Sequence, residues 1–133
     1  MRCLIDTHVF IWFMMEPEKI SEKVLEIIQN ENNRIFISSM SFWEMAIKYQ
    51  NKKLNLGRIH PLHLSHIAEQ YDFTILEPQT YDYVSIAQIP LKENHHDPFD
   101  RMLIQQAIRN DLVLISKNEK FRQYEENGLQ LQW

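Results

Sequence analysis

Residues 98–116 read PFDRMLIQQAIRNDLVLIS, and they predict a helix that is followed at once by a buried strand. Pro98 suits the first helical turn, and the apolar residues after it recur at the spacing of one helix face. That face consists of Leu103, Ile104, Ala107 and Ile108. The five residues Leu112–Ser116 form a short apolar run that is typical of a strand covered on both faces. A helix that leads straight into such a strand is the repeating unit of a parallel sheet.

The same alternation of short apolar runs and helical patterns extends over the rest of the chain. Strands are predicted at Cys3–Ile5, Arg34–Ser38, Phe73–Leu76, Leu112–Ser116 and Leu129–Trp133. The last is expected at the edge of the sheet because its apolar and polar residues alternate. Helices are predicted at Val9–Met15, Ser21–Ile28, Phe42–Asn51, Pro61–Gln70, Tyr81–Gln88, Pro98–Arg109 and around Phe121 and Tyr124. We therefore predict one domain over residues 1–133 with an α/β fold, a three-layer α/β/α sandwich around a mainly parallel sheet of about five strands.

Composition excludes several classes of protein. With only two glycines, the 133-residue chain contains neither of the glycine-rich phosphate-binding loops. Its one cysteine, Cys3, rules out an internal disulfide and a cysteine-based zinc cluster, so we expect a reducing compartment, the cytoplasm. No membrane span or secretory signal is expected, because no apolar stretch is long enough. The net charge of −4 does not by itself suggest a nucleic-acid partner.

Acidic and amide residues fall where predicted strands end or crossover helices begin. They are Asp6, Glu44, Asp97, Asp100, Asn118 and Glu119. Strand C-termini and helix N-termini share one edge of a parallel sheet, where ligands commonly bind. Converging carboxylates would repel one another unless a cation lay between them. Hard oxygen ligands without cysteine favour Mg²⁺ or Mn²⁺, ions that activate water and neutralise phosphate charge in phosphodiester cleavage.

Each of these residues also has an ordinary structural explanation. Ser41 and Glu44 have the spacing of a capping box, in which the glutamate bonds the backbone at the start of a helix. The sequence Asp97-Pro98-x-Asp100 is a common helix start. Asp6 and Asn118 could each cap the segment that follows. Capping alone does not explain why the acids should gather at one edge of the sheet.

Four segments, taken in order, resemble a known family. They are Leu4-Ile5-Asp6-Thr7-His8 with Trp12; Ser38-Ser39-x-Ser41-x-Trp43-Glu44-Met45-x-x-Lys48; His95-x-Asp97-Pro98-Phe99-Asp100-Arg101-x-Leu103-Ile104-x-Gln106-Ala107; and Leu114-Ile115-Ser116-Lys117-Asn118-x-x-Phe121-x-x-Tyr124. Together they resemble the PIN domain, in particular the VapC-type toxin of type II toxin–antitoxin pairs. The resemblance implies a metal-dependent ribonuclease that holds Mg²⁺ or Mn²⁺ with acidic residues.

Carried onto this sequence, the resemblance makes Asp6, Glu44 and Asp100 the expected metal ligands and catalytic residues. Asp97 either assists them or only caps its helix. The family's fourth acid is replaced here by an amide, Asn118. We therefore expect at least one metal site, and the sequence leaves open whether one or two ions bind.

Two neighbours of Asn118 are auxiliary candidates. Glu119 is placed to compensate for the missing charge at Asn118. At Ser116 the family often has a hydroxyl that holds a water beside the metal, and the same is expected here.

The resemblance also implies partners: an RNA substrate, an antitoxin whose C-terminal segment covers the active site, and a second copy of the chain. RNA phosphates are expected to contact basic residues after the Glu44 helix or near Asp100, namely Lys48, Lys52, Lys53, Arg58 and Arg101. A solvated helix face is the alternative for the lysines, and Arg101 could instead pair with a carboxylate or lie on the surface.

Two other functions remain to be weighed against the nuclease. One is a catalytically impaired PIN-like module that binds RNA or protein, an alternative raised by Asn118. The other is a receiver-like signalling domain, which also has an acidic pocket at a parallel sheet edge. A receiver needs a pair of acids after the first strand, and only Asp6 is present there.

Overall fold

The structure is a computed structural model that describes all residues from 1 to 133. Its centre is a five-stranded sheet in which every neighbouring pair of strands is parallel. The strands are β1 (Arg2–Ile5), β2 (Arg34–Ser38), β3 (Thr74–Leu76), β4 (Val113–Ile115) and β5 (Gln130–Gln132). Their order across the sheet is β3-β2-β1-β4-β5. All five predicted strands are confirmed, and β5 lies at an edge as expected.

Six α-helices connect the strands. They are α1 (Thr7–Met15), α2 (Glu22–Gln29), α3 (Ser39–Gln50), α4 (Leu64–Gln70), α5 (Thr80–Ser85) and α6 (Pro98–Arg109). Short 3₁₀ segments occupy Pro17–Lys19, Pro61–His63, Ile86–Gln88 and Glu119–Asn127. The last of these ends at Gly128, whose φ of +100° turns the chain into β5. Neither the length nor the apolar character needed to cross a membrane is found in any helix.

Alternating side chains of β1 divide the core into two layers. Cys3 and Ile5 belong to a cluster on one face of the sheet, which also contains buried residues of α1, α2, α3 and α4. Leu4 belongs to a second cluster on the opposite face, with buried residues of α6 and of the segment Glu119–Asn127. These three side chains of β1 are fully buried, whereas Arg2 at its start is exposed. The sheet is therefore covered on both faces, which confirms the α/β/α sandwich.

The strand order reverses at β1, and this reversal positions the functional crevice. β2 and β3 follow on one side of β1, whereas β4 and β5 lie on the other. In open parallel sheets a crevice forms at such a switch point, beyond the C-terminal ends of the strands. The backbone N–H of Asp6 donates to the carbonyl of Ile115 at 3.1 Å. The residues that directly follow β1 and β4 are thereby held side by side.

Helix α3 presents a different face to the protein interior from the one predicted. Its expected buried stripe was Phe42, Met45, Ala46 and Tyr49. Of these only Met45 is fully buried, Ala46 is exposed and Tyr49 is 40% exposed. The buried positions are instead Ser41, Glu44 and Met45. The stripe prediction is wrong because this helix turns polar side chains inward, toward the end of β1.

Candidate active site

Asp6 both caps a helix and faces the crevice. Its Oδ1 accepts the backbone N–H of Val9 at 2.8 Å, which makes it the N-cap of α1. Its Oδ2 accepts a hydrogen bond from the hydroxyl of Ser116, the residue after β4. The residue is only 5% exposed, and this burial raises the pKa of its carboxyl group. Capping and site formation are therefore compatible roles of one carboxylate.

Glu44 reaches the same crevice from α3. Its Oε1 accepts the hydroxyl of Thr7 at 2.6 Å, and its Oε2 lies 2.8 Å from the ammonium of Lys48. The helix begins earlier than predicted, with Ser38 as its N-cap. The capping-box interpretation of Ser41 and Glu44 is therefore wrong, because both residues lie inside the helix. Glu44 is 5% exposed and bonds side chains rather than the start of its own helix.

Asp97 and Asp100 begin α6, as the sequence predicts. Asp97 Oδ1 accepts the backbone N–H groups of Phe99 at 2.8 Å and of Asp100 at 3.1 Å, so it is the N-cap. Burial, together with the charges of Asp97, Glu44 and Asp6, raises the pKa of Asp100 to about 7. The carboxylates of Asp6, Glu44 and Asp100 are thus close enough to repel one another.

His95 is the buried hydrogen-bond partner of Asp100. Its Nε2 lies 3.0 Å from Asp100 Oδ2, and its ring packs edge-on against Phe121 at 5.0 Å and Tyr124 at 5.3 Å. The residue is 2% exposed, and burial lowers its pKa, so we assign a neutral imidazole that donates from Nε2. Its Nδ1 has no partner. The sequence indicated only that His95 borders Asp97.

Asn118 contributes an amide to the crevice, where Asp6, Glu44 and Asp100 contribute carboxylates. Ser116 accepts the backbone N–H of Asn118 at 3.0 Å while donating to Asp6. Asn118 Oδ1 accepts the N–H of Lys120 at 3.0 Å and caps the following 3₁₀ segment. Glu119 is exposed, and its carboxylate is bound to Arg122. The compensating role expected of Glu119 stays a prediction.

The three carboxylates fit a hard divalent cation in their donor chemistry. All six of their side-chain donor atoms are oxygens, which is the ligand type that Mg²⁺ and Mn²⁺ prefer. Each carboxylate is held by a protein donor: Asp6 by Ser116, Glu44 by Lys48 and Asp100 by its histidine. No group of three His, Cys, Asp or Glu side chains is already gathered at coordinating distance. An ion would therefore compete with these donors for the carboxylate oxygens.

The basic residues proposed for RNA contacts occupy different settings. Lys48 is paired with Glu44 across one helical turn, the i,i+4 spacing that favours such pairs. Lys52 and Lys53 are exposed in the turn after α3, and Arg58 is exposed in the following loop. A role of these side chains in binding phosphate stays a prediction.

Arg101 is the one basic candidate that the structure moves away from the surface. Its guanidinium donates to the carbonyl groups of Ile86 at 3.1 Å, Ile89 at 2.9 Å and Pro90 at 3.2 Å. The residue is 6% exposed. The expectations of an RNA contact, a carboxylate partner or a surface position are therefore wrong, because this side chain fastens the loop before α6 to the helix.

We expect Arg101→Met to destabilise the fold by about 2 kcal/mol or more, because it leaves buried carbonyl groups without donors. The salt dependence of RNA binding is expected to stay unchanged. Urea denaturation and a salt titration of RNA affinity measure the two effects, with the exposed Lys52→Met as the matched control. A shallower salt slope at unchanged stability would restore the RNA-contact interpretation.

The fold is similar to that of chains in three solved VapBC structures. The fold is similar to that of a chain in VapBC2 from Rickettsia felis bound to a DNA fragment from their promoter, with a TM-score of 0.69 and 17% identity over 99% of this chain and 98% of that one. A chain of VapBC-1 from nontypeable Haemophilus influenzae gives 0.64 and 20% identity, over 99% and 97% of the two chains. DNA-bound VapBC from Salmonella typhimurium gives 0.64 and 19%, with the same coverage. At these identities the likeness concerns the fold.

The sequence comparisons agree with the structural ones. Ribonuclease VapC22 from Mycobacterium tuberculosis is 23% identical over 122 residues, which cover 91% of this chain and 90% of the relative. The family model described as "PIN domain" matches residues 3–127. These residues include every strand except β5 and every side chain of the crevice. The receiver-like alternative is thereby set aside, and the chain belongs to the PIN domain family.

Proposed function

We propose that this protein is a divalent-metal-dependent endoribonuclease that acts as the toxin of a toxin–antitoxin pair. The observation that supports the proposal is that three carboxylates from separate parts of the chain lie close enough at one sheet edge to repel one another, although they are not yet at coordinating distance. Asp6 follows β1, Glu44 lies in α3 and Asp100 lies in the first turn of α6. Burial and the repulsion among these carboxylates raise the pKa of Asp100, and a bound cation would relieve the repulsion.

Asp6, Glu44 and Asp100 would hold Mg²⁺ or Mn²⁺. When bound, such an ion supplies an activated water and neutralises charge on the phosphodiester. Protein donors hold each carboxylate in place: the Ser116 hydroxyl on Asp6, the Thr7 hydroxyl on Glu44, and the histidine on Asp100. Ligands oriented in this way lose little freedom when an ion binds, which favours a defined geometry.

Charge around the crevice supports an RNA substrate. Lys48 neutralises Glu44 and its side chain is 35% exposed, so it can also meet a phosphate at the mouth of the site. Lys52 and Lys53 are exposed in the turn after α3, four and five residues beyond Lys48. We propose that they bind flanking phosphates. The single buried Cys3 is consistent with a reducing compartment such as the cytoplasm.

An antitoxin and a second copy of the chain are the proposed protein partners. Support for the antitoxin comes from the similar structures, which are VapBC complexes. A protein-binding surface is also available on α5, where Tyr81, Tyr83 and Val84 are between 54% and 64% exposed.

The proposal predicts cleavage that depends on a divalent ion. Purified protein free of antitoxin is incubated with a pool of single-stranded RNAs in Mg²⁺, in Mn²⁺ and in EDTA. We expect fragments with either ion, none in EDTA, and recovery when excess ion is added back. Equal cleavage in EDTA, or no cleavage of any pool, would contradict the proposal and favour the impaired binding module.

A further inference from the structure

The cavity beside Asp6 has a composition that the nuclease chemistry does not explain. It has a volume of about 470 Å³, within the range of small-ligand sites. Its lining residues are Asp6, His8, Trp12, Lys117, Asn118 and Glu119. Trp12 is the single apolar member. One wall is therefore aromatic, whereas the others are polar or charged.

The aromatic wall is held in a fixed position. The indole of Trp12 packs against the indole of Trp133, with ring centroids 6.0 Å apart at an angle of 64°. The imidazole of His8 lies 6.0 Å from the same indole, and His8 itself is exposed. Aromatic rings fixed in the wall of a cleft are a usual platform for an unpaired nucleobase.

Hydrogen-bond donors lie beside the aromatic wall. The Lys117 ammonium lies over the Trp12 ring at 6.0 Å from its centroid, on an exposed side chain that can move aside when a base stacks. Asn118 uses its Oδ1 and its backbone N–H in local hydrogen bonds, which leaves its side-chain NH₂ as a donor for the cavity. The carboxylate of Glu119 is already bound to Arg122. An ammonium and an amide at this corner favour an anionic oxygen over a second cation.

We propose that this cavity is a subsite for one unpaired nucleotide, with its base against Trp12 and a phosphate oxygen bound by Lys117 and Asn118. The proposal rests on the proposed function only in naming RNA as the source of that nucleotide. Because Asp6 lines the same cavity, the subsite adjoins the position expected for the scissile bond. The amide at position 118 then serves substrate binding where the family's fourth acid would serve a metal.

Nucleotide binding is tested without cleavage. The chain contains three tryptophans, so ¹H–¹⁵N spectra show three indole N–H signals, and Trp12→Phe identifies that of Trp12. The four 5′-mononucleotides, inorganic phosphate and the nucleosides are titrated into the full-length protein in EDTA. We expect at least one mononucleotide to shift the Trp12 signal saturably, while the exposed Trp43 serves as an internal control. No Trp12 shift, or an equal shift with inorganic phosphate alone, would overturn the proposal.

Charge and stacking are then separated by variants. Lys117→Gln is expected to weaken mononucleotide binding roughly 3- to 10-fold, because it removes one phosphate contact. The control is Lys23→Gln, which makes the same change at an exposed position on α2. Equal affinities of these two variants would exclude the phosphate contact.

The same variants are read in the cleavage assay. Trp12→Leu should raise KM for single-stranded RNA roughly 10-fold, since stacking contributes to binding, whereas Trp12→Phe should restore most of it. If wild-type protein cuts RNA and both Trp12→Leu and Lys117→Gln keep the wild-type KM, the subsite is wrong and the nuclease stands. If nothing is cut, the nuclease fails, and the spectra still decide the subsite.

Discussion

Asp6→Asn is expected to lower RNA cleavage by roughly 100- to 1000-fold, the usual cost of removing one charged group from a preorganised site. The amide has the size of the carboxylate and can still accept the N–H of Val9 at the start of α1. Ser116 can rotate its hydroxyl to suit the amide. The variant loses the negative charge directly after β1, and with it one proposed anionic ligand for a cation.

Measuring thermal stability distinguishes a loss of catalysis in Asp6→Asn from a loss of the folded structure. Burial makes the Asp6 carboxylate costly, so Asp6→Asn should leave Tm unchanged or higher. Asp72→Asn is the matched control, because Asp72 is an exposed carboxylate before β3 whose φ of +62° asparagine readily adopts. Single-turnover cleavage and thermal denaturation are measured on both variants. Wild-type cleavage by a folded Asp6→Asn protein would remove Asp6 from the catalytic site.

The sheet was predictable because its signal is local. Strands β1 to β4 each contain a short apolar run, and β5 alternates apolar and polar residues. Cys3–Ile5 of β1 and Leu114–Ile115 of β4 are fully buried, so these stretches carry no polar interruption. The start of α6 was equally clear, because Asp97 and Pro98 supply the cap and the fixed backbone angle within two adjacent residues. Parallel topology then places the acids at one edge without knowledge of any long-range contact.

The contacts that orient the site could not be predicted in this way. The Thr7 hydroxyl donates to Glu44, which lies 37 residues later in the sequence. Arg101 donates to carbonyl groups of the 3₁₀ segment Ile86–Gln88 and of the loop that follows it. Neither pairing has a periodic or compositional signature. The pairing of Glu44 with Lys48 does have a sequence signature, the i,i+4 spacing. That ion pair replaces the solvated helix face as the interpretation of Lys48.

Capping a helix and lining the crevice are not alternatives for one side chain. Asp6 and Asn118 each accept a backbone N–H at the start of a helical segment while lining the crevice. Helix N-termini lie at the sheet edge where the active site forms, so a side chain that caps the helix is already directed there. A sequence pattern that indicates a cap is therefore weak evidence against a functional role.

Mg²⁺ or Mn²⁺ is expected to raise Tm by about 5 °C or more at pH 8, at concentrations well above Kd, and by much less at pH 5.5. Burial and neighbouring carboxylates raise the pKa of Asp100 from 3.8 to about 7. Between these values the folded protein keeps a proton that the unfolded chain has released. Without an ion, the contribution of Asp100 to stability therefore falls as pH rises from about 4 to 7, then stays constant.

A bound cation removes this penalty only where the carboxylate is ionised, because protons and metal compete for the same oxygens. Asp100→Asn should therefore flatten the metal-free stability profile between pH 4 and 7 and abolish the rise in Tm with Mg²⁺ or Mn²⁺. Asp72→Asn, far from the crevice, should keep both features. If Asp100→Asn gained as much Tm from the ion as the wild type, the stabilising ion would bind elsewhere. Asp100 would then not be a ligand of that ion.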